Sequence, residues 1–110
     1  MKYLCLVYLE PARLRAVPDS ECATCGEGLK NSGLLIGAEA LQPASAAATV
    51  RVRNGRVLVT DGPFAETKEQ LAGFYLIEAR DLNDAIHVAS KIPPAREGSV
   101  EVRPIRELEP

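Results

Sequence analysis

Apolar positions recur along this chain in two rhythms, which divide it into a short series of elements. Tyr3-Leu4-Cys5-Leu6-Val7-Tyr8-Leu9 is a continuous apolar run of strand length and predicts a central strand covered on both faces. Past the proline-flanked basic stretch Glu10 to Val17, Pro18-Asp19-Ser20-Glu21 supplies an N-cap and an acidic first turn. A helix is predicted from about Ser20 to Asn31, weakened by Gly26 and Gly28 and closed by Gly33. Leu34 to Leu41 predicts a second strand, which Gln42-Pro43 ends.

The sharpest local signal is Thr49-Val50-Arg51-Val52-Arg53, then Asn54-Gly55, then Arg56-Val57-Leu58-Val59-Thr60. Asn-Gly between alternating strands encodes a two-residue hairpin loop, because both residues accept positive φ. That loop pairs Arg53 with Arg56 and Val52 with Val57. Four valines then share one face, expected to pack inward, and Arg51, Arg53 and Arg56 share the other. Asp61-Gly62-Pro63-Phe64 stops the hairpin, with the Asp61 side chain expected to accept the following backbone amides. Leu71 to Ala79 predicts another strand in which Gly73 permits close backbone approach. Tyr75, between Phe74 and Leu76, is expected on the side of the sheet away from the helices. Asp81 to Asp84 caps a helix whose apolar residues Leu82, Ala85, Ile86, Ala89 and Ile92 fall at helical spacing before Pro93-Pro94. Ser99 to Arg103 alternates as the last strand. The order of elements predicts an α+β fold on the ferredoxin-like, split βαβ plan with an inserted β-hairpin.

Composition narrows the partners. The chain has 110 residues, 46% of them hydrophobic, a net charge of −2 and no tryptophan. That fits one folded domain rather than two, or a disordered chain. A near-neutral balance argues against nucleic acid, which demands a basic excess. The first apolar run is too short for export or a membrane span, so a cytoplasmic protein with no membrane association is expected. Its three cysteines should then stay reduced. A small aliphatic core, and two helices too few to cover both faces of the sheet, predict a homodimer.

Gly37-Ala38-Glu39-Ala40-Leu41-Gln42-Pro43, Thr49 to Gly55, Asp61-Gly62-Pro63-Phe64-Ala65-Glu66-Thr67-Lys68-Glu69-Gln70 and Gly98 to Ile105 together closely resemble the YCII-related family, in the branch named for its Asp-Gly-Pro-Phe motif. The resemblance spans nearly the whole chain. It implies a dimeric α/β barrel, two ferredoxin-like subunits packed sheet against sheet with clefts between sheet and helices. It also implies regulation linked to extracytoplasmic-function sigma factors, without a known reaction. Relatives elsewhere in the superfamily act on lactone-type or chlorinated molecules through a histidine on the first helix and a nearby aspartate. Here the only histidine, His87, falls on the second predicted helix, where an exposed position is expected.

Several residues are candidates for chemistry, each beside a plainer alternative. Glu39, in an apolar strand beside Gly37, would suit general acid or base work if buried, or is a strand-end carboxylate or one paired with an arginine across the subunit interface. Asp61 is either an acid or base, or simply the turn former. Glu66 and Lys68 would present a charge pair to a cleft, or stand solvated. Arg51, Arg53 and Arg56, with two like charges directly opposed, call for an anionic ligand, an acidic partner or, least favoured, a nucleic-acid phosphate, or lie solvated along an exposed edge. Tyr75 would bind a ligand at the dimer interface, or pack in the core. Cys22-Ala-Thr-Cys25 has the spacing of a redox pair, with Cys22 activated by the helix N-terminus, but lacks the topology for it. No cofactor motif or metal set is expected. The resulting expectation is a homodimer binding a small anionic molecule or a protein partner in sigma-factor-linked regulation. The alternatives are an isomerase or a lyase- or dehalogenase-like enzyme using Glu39 or Asp61, and a purely structural module.

Overall fold

A computed structural model describes residues 1–109 of the chain. Six strands and two helices follow in the order β1 (Lys2–Leu9), α1 (Asp19–Asn31), β2 (Leu35–Ala40), β3 (Ala48–Arg53), β4 (Arg56–Asp61), β5 (Gln70–Glu78), α2 (Leu82–Ala89) and β6 (Ser99–Pro104). Four strands form one sheet in the order β2-β5-β1-β6 with antiparallel neighbours throughout, and β3 and β4 form a separate two-stranded sheet. β5 therefore lies between β1 and β2, and β1 between β5 and β6. Each βαβ unit is split by a strand of the other, as the sequence pattern predicted. No helix among the described residues is long and apolar enough to cross a membrane.

Alternation along β1 and β5 builds the core. Tyr3, Cys5 and Val7 of β1, with Tyr75 and Ile77 of β5, point to the helix side and are buried. Ala85, Val88 and Ala89 of α2, followed by Ile92, close over them. α1 contributes only the partly buried Cys25 and Leu29. The second face of the sheet has no helix over it, so Leu4, Leu6, Tyr8, Phe74 and Leu76 are half-buried instead of enclosed. β1 is thus central in the sheet but covered by helices on one face alone. The expected facing of Tyr75 is also reversed: the register Cys5↔Tyr75 places it with the buried residues of β1, and Phe74 and Leu76 take the open side.

The hairpin forms in the register its Asn-Gly loop dictates, with Arg53↔Arg56, Val52↔Val57, Arg51↔Leu58 and Val50↔Val59. Asn54 and Gly55 both adopt positive φ, 52° and 74°, the backbone of a type I′ turn. The inward packing of the valines does not occur. Val50, Val52, Val57 and Val59 are 61%, 58%, 66% and 63% exposed, because the hairpin pairs with no strand of the main sheet and no helix layer reaches it. The turn after β4 also departs from expectation. The Gly62 N–H donates to the Ala47 carbonyl (2.7 Å) and Thr49 Oγ1 to the Gly62 carbonyl (2.9 Å), while the exposed Asp61 carboxylate accepts no hydrogen bond among the described residues. Gly73 does permit close approach: a Cβ there would stand 2.8 Å from the Glu39 carbonyl oxygen.

The helix ends differ in how they are held. Pro18, not a polar side chain, precedes α1, and no side chain caps it; at its other end Gly33 N–H bonds the Lys30 carbonyl and Leu34 N–H the Leu29 carbonyl, the paired closure of a Schellman motif. α2 is capped as predicted, with Asp81 Oδ1 accepting the Asp84 N–H at 2.8 Å. The Arg80 backbone N–H donates to Asp84 Oδ2 (3.0 Å), which with the Arg80 guanidinium holds the Asp84 carboxyl below its ordinary range. Because α2 supplies most of the helix layer, Asp81→Ala should cost about 1 kcal/mol of stability, and Asp81→Ser should restore most of it. Urea denaturation monitored by circular dichroism measures both.

Candidate functional site

A cleft of about 490 Å³ opens between α1 and the helix-facing side of the sheet. Its floor is Val7, Leu9, Ala38, Ala40, Gly73 and Tyr75, and Leu14, Val17 and Pro94 form part of its wall. Its roof is α1, which presents Cys22, Ala23 and Gly26 there. The reason lies in the sequence: a helix that offers a thiol, a methyl and a hydrogen toward a sheet cannot fill the space beneath it. Tyr75 Oη donates to the Cys22 carbonyl at 3.4 Å. Burial, then the neighbouring thiols Cys22 and Cys25, push the Tyr75 phenol up to about 12. Burial followed by the Asp19 carboxylate raises the Cys22 thiol, and burial raises that of Cys25. Asp19 and Glu39 contribute to the lining, and no lysine or arginine does.

A second cavity, of about 670 Å³, lies beneath the Asp-Gly-Pro-Phe loop. Pro63, Phe64, Ala65 and Thr67 line it from the loop, Leu41 to Ala44 from the segment after β2, and Tyr8, Gln70 and Leu71 from the sheet. The Arg51 guanidinium sits 6.0 Å from the Phe64 ring centroid, the outer limit of a cation–π contact. Tyr8 Oη donates to Glu101 Oε1 at 3.3 Å, and burial, with the Glu101 charge, pushes the Tyr8 phenol up.

Of the residues singled out in the sequence, Cys22, Glu39 and Tyr75 line one cavity, Glu39 from a position on β2 that shares Phe74's face of the sheet. Glu39 is exposed, not buried. A bulge between Leu35 and Gly37 leaves Leu35 opposite Ile77 but puts Glu39 opposite Phe74, which turns it off Leu35's face. β2 is also an edge strand with no neighbour to cover it. Asp61, Arg53, Arg56, Glu66 and Lys68 line neither cavity, and Arg51 reaches only Phe64. Lys68 Nζ pairs with Glu10 Oε1 (3.4 Å) instead of Glu66, in a surface contact. His87 is exposed on α2. No three His, Cys, Asp or Glu side chains among the described residues converge as a metal-binding group. The sequence reading missed Asp19, Leu14 and Val17 as cleft residues. The run of small side chains in α1 was the available signal, since a helix poor in bulk marks a gap beneath it.

The expected activation of Cys22 is reversed by its surroundings. Removal from water and the Asp19 charge favour the neutral thiol over the weaker pull of the helix N-terminus. Both thiols should therefore alkylate with iodoacetamide more slowly than free cysteine at pH 8, with rates that keep rising at pH values where free cysteine has levelled off. Cys22→Ser with Cys25→Ser should leave the melting temperature within about 2 °C. A rate plateau near neutral pH would overturn this assignment.

The chain matches the YCII-related domain over residues 1–109. It is 50% identical over 72 residues to the uncharacterized protein R00369 of Rhizobium meliloti (strain 1021), a match covering 64% of this chain and 58% of that protein. The chain thus spans somewhat over half the length of that relative. With residues 1–109 inside the domain match, the chain belongs to the YCII-related domain family.

Proposed function

We propose that this chain is a homodimeric sensing domain of the Asp-Gly-Pro-Phe branch, closed sheet against sheet as an α/β barrel, that binds a small, largely apolar, neutral or cationic molecule in the cleft under α1. The cleft carries the reading. Its volume of about 490 Å³ falls within the usual range for small-ligand sites. Its polar side chains are the Cys22 thiol, kept protonated and able to donate a hydrogen bond, the Tyr75 phenol, whose one O–H goes to the Cys22 carbonyl and whose oxygen can accept, and the Asp19 carboxylate. An anion would meet the Asp19 charge there and no lysine or arginine, which favours a neutral or cationic ligand over the anion expected from the arginines. The same chemistry favours binding over catalysis: Glu39 stands in water and Asp61 lines neither cavity. In the sigma-factor-linked setting that the sequence resemblance implies, occupancy of this cleft would be the sensed event.

Exposed area supports the dimer. A compact chain of 11.8 kDa exposes roughly 5,900 Å², whereas this one exposes 7926 Å². The difference, roughly 2,000 Å² per chain, is of the size an obligate homodimer buries. Sedimentation of the intact chain at micromolar concentration should give a dimer, and a monomer overturns that half of the proposal.

Binding is tested with the neutral dye N-phenylnaphthylamine. Gly26 lines the cleft and a Cβ there meets no atom within 4 Å, so Gly26→Leu adds bulk at the cleft with no clash at its Cβ. The dye should fluoresce with the natural chain and bind at least about tenfold more weakly to Gly26→Leu, a loss of about 1.4 kcal/mol. Equal binding to both proteins overturns the cleft as the site.

A further inference from the structure

We infer that the β3–β4 hairpin is an arm that closes over a second copy of this chain, with its valine face against that copy's body. This deepens the homodimer reading above and rests on it. Three observations carry it. The arm holds Val50, Val52, Val57 and Val59 on one face, each more than half exposed, a contiguous apolar surface of the kind that marks an interface. Only β3 and β4 support one another, with no other element packed extensively on them. Two isolated strands are marginal in water, so the cover must be present whenever the protein is folded. A second copy always meets that requirement, and a transient partner does not.

Charge points the same way. The segment Ala48–Asp61 carries Arg51, Arg53 and Arg56 against Asp61 alone, which leaves the rest of the chain more acidic than the overall −2. A basic arm on an acidic body is attracted across the interface, and two arms stacked on each other would bring like charges together. The register of the hairpin keeps the opposed Arg53 and Arg56 on the face away from the valines, so the valine face can seat without burying an unpaired guanidinium. The radius of gyration, 15.6 Å, exceeds the ~13 Å of a compact domain of this size, as a projecting arm requires.

The test is Val52→Lys combined with Val57→Glu. These residues face each other across the strands, so the pair of opposite charges preserves the hairpin while making its face polar. Sedimentation equilibrium of the full chain should show a dimer dissociation constant raised at least about tenfold in the double variant. Hydrogen exchange of the natural chain should show the amides of 48–61 protected above the dissociation constant and released on dilution below it. An unchanged dissociation constant, or arm amides that exchange identically at both concentrations, overturns the arm and leaves the sheet-to-sheet dimer standing. A natural chain that stays monomeric overturns both. Should the variant fail to fold, the dilution series on the natural chain decides.

Discussion

The antiparallel pairing of β1 with β5 is the constraint on which the rest of this structure depends. It sets Tyr3 opposite Ile77, Cys5 opposite Tyr75 and Val7 opposite Gly73, which gathers the large buried side chains on one side of the sheet. A shift of one residue would exchange the two faces of β5 and present Phe74 and Leu76 to α2. The same pairing lets β5 separate β2 from β1, so that α1 must cross over the sheet to reach the edge strand. The cleft under α1 exists because of that crossing, and Gly73 lets the edge strand approach closely enough to close its floor.

Sequence pattern reached much of this. Element order, the hairpin register, the Asp81 cap and the role of Gly73 follow from signals that act within a few residues: an Asn-Gly loop, a polar cap, a break in side-chain size. What it did not reach depends on contacts between elements. The valine face of the hairpin reads as inward because four apolar residues in register ordinarily mark the side that meets a core. Whether a core lies there is decided by the long connections Leu41 to Ala47 and Gly62 to Glu69, which carry the hairpin away from the main sheet. Tyr75 was misplaced for a related reason: period-two alternation says that it opposes Phe74, but not which of the two meets the helices. Glu39 fell to a bulge in β2, where one extra residue rotates everything after it.

The candidate site was less legible than the fold, for a physical reason. A pattern of charges on a sequence draws attention to groups able to do chemistry, and Arg51, Arg53, Arg56, Asp61, Glu66 and Lys68 are such groups. A cleft is made by what is missing, and a missing side chain announces itself only against the element that ought to have filled the space. Cys22, Ala23 and Gly26 are unremarkable singly; beneath a helix lying on a sheet they add up to a cavity.

The two helices consequently divide the work of the domain. α2 buries Ala85, Val88 and Ala89, small enough for close approach to the sheet and continuous with Ile92, and a side-chain cap holds its start. α1 buries no residue, has no side-chain cap and carries two glycines, features that lower the free energy of local opening. Filling the space under α1 would stabilise the fold by removing a gap and rigidifying a weak helix, and would abolish the cleft in the same step. A domain built only to hold two copies together would gain from that change at no cost. That α1 stays thin over Tyr75 is what the proposed ligand-binding role would account for, and a purely structural role offers no reason for it.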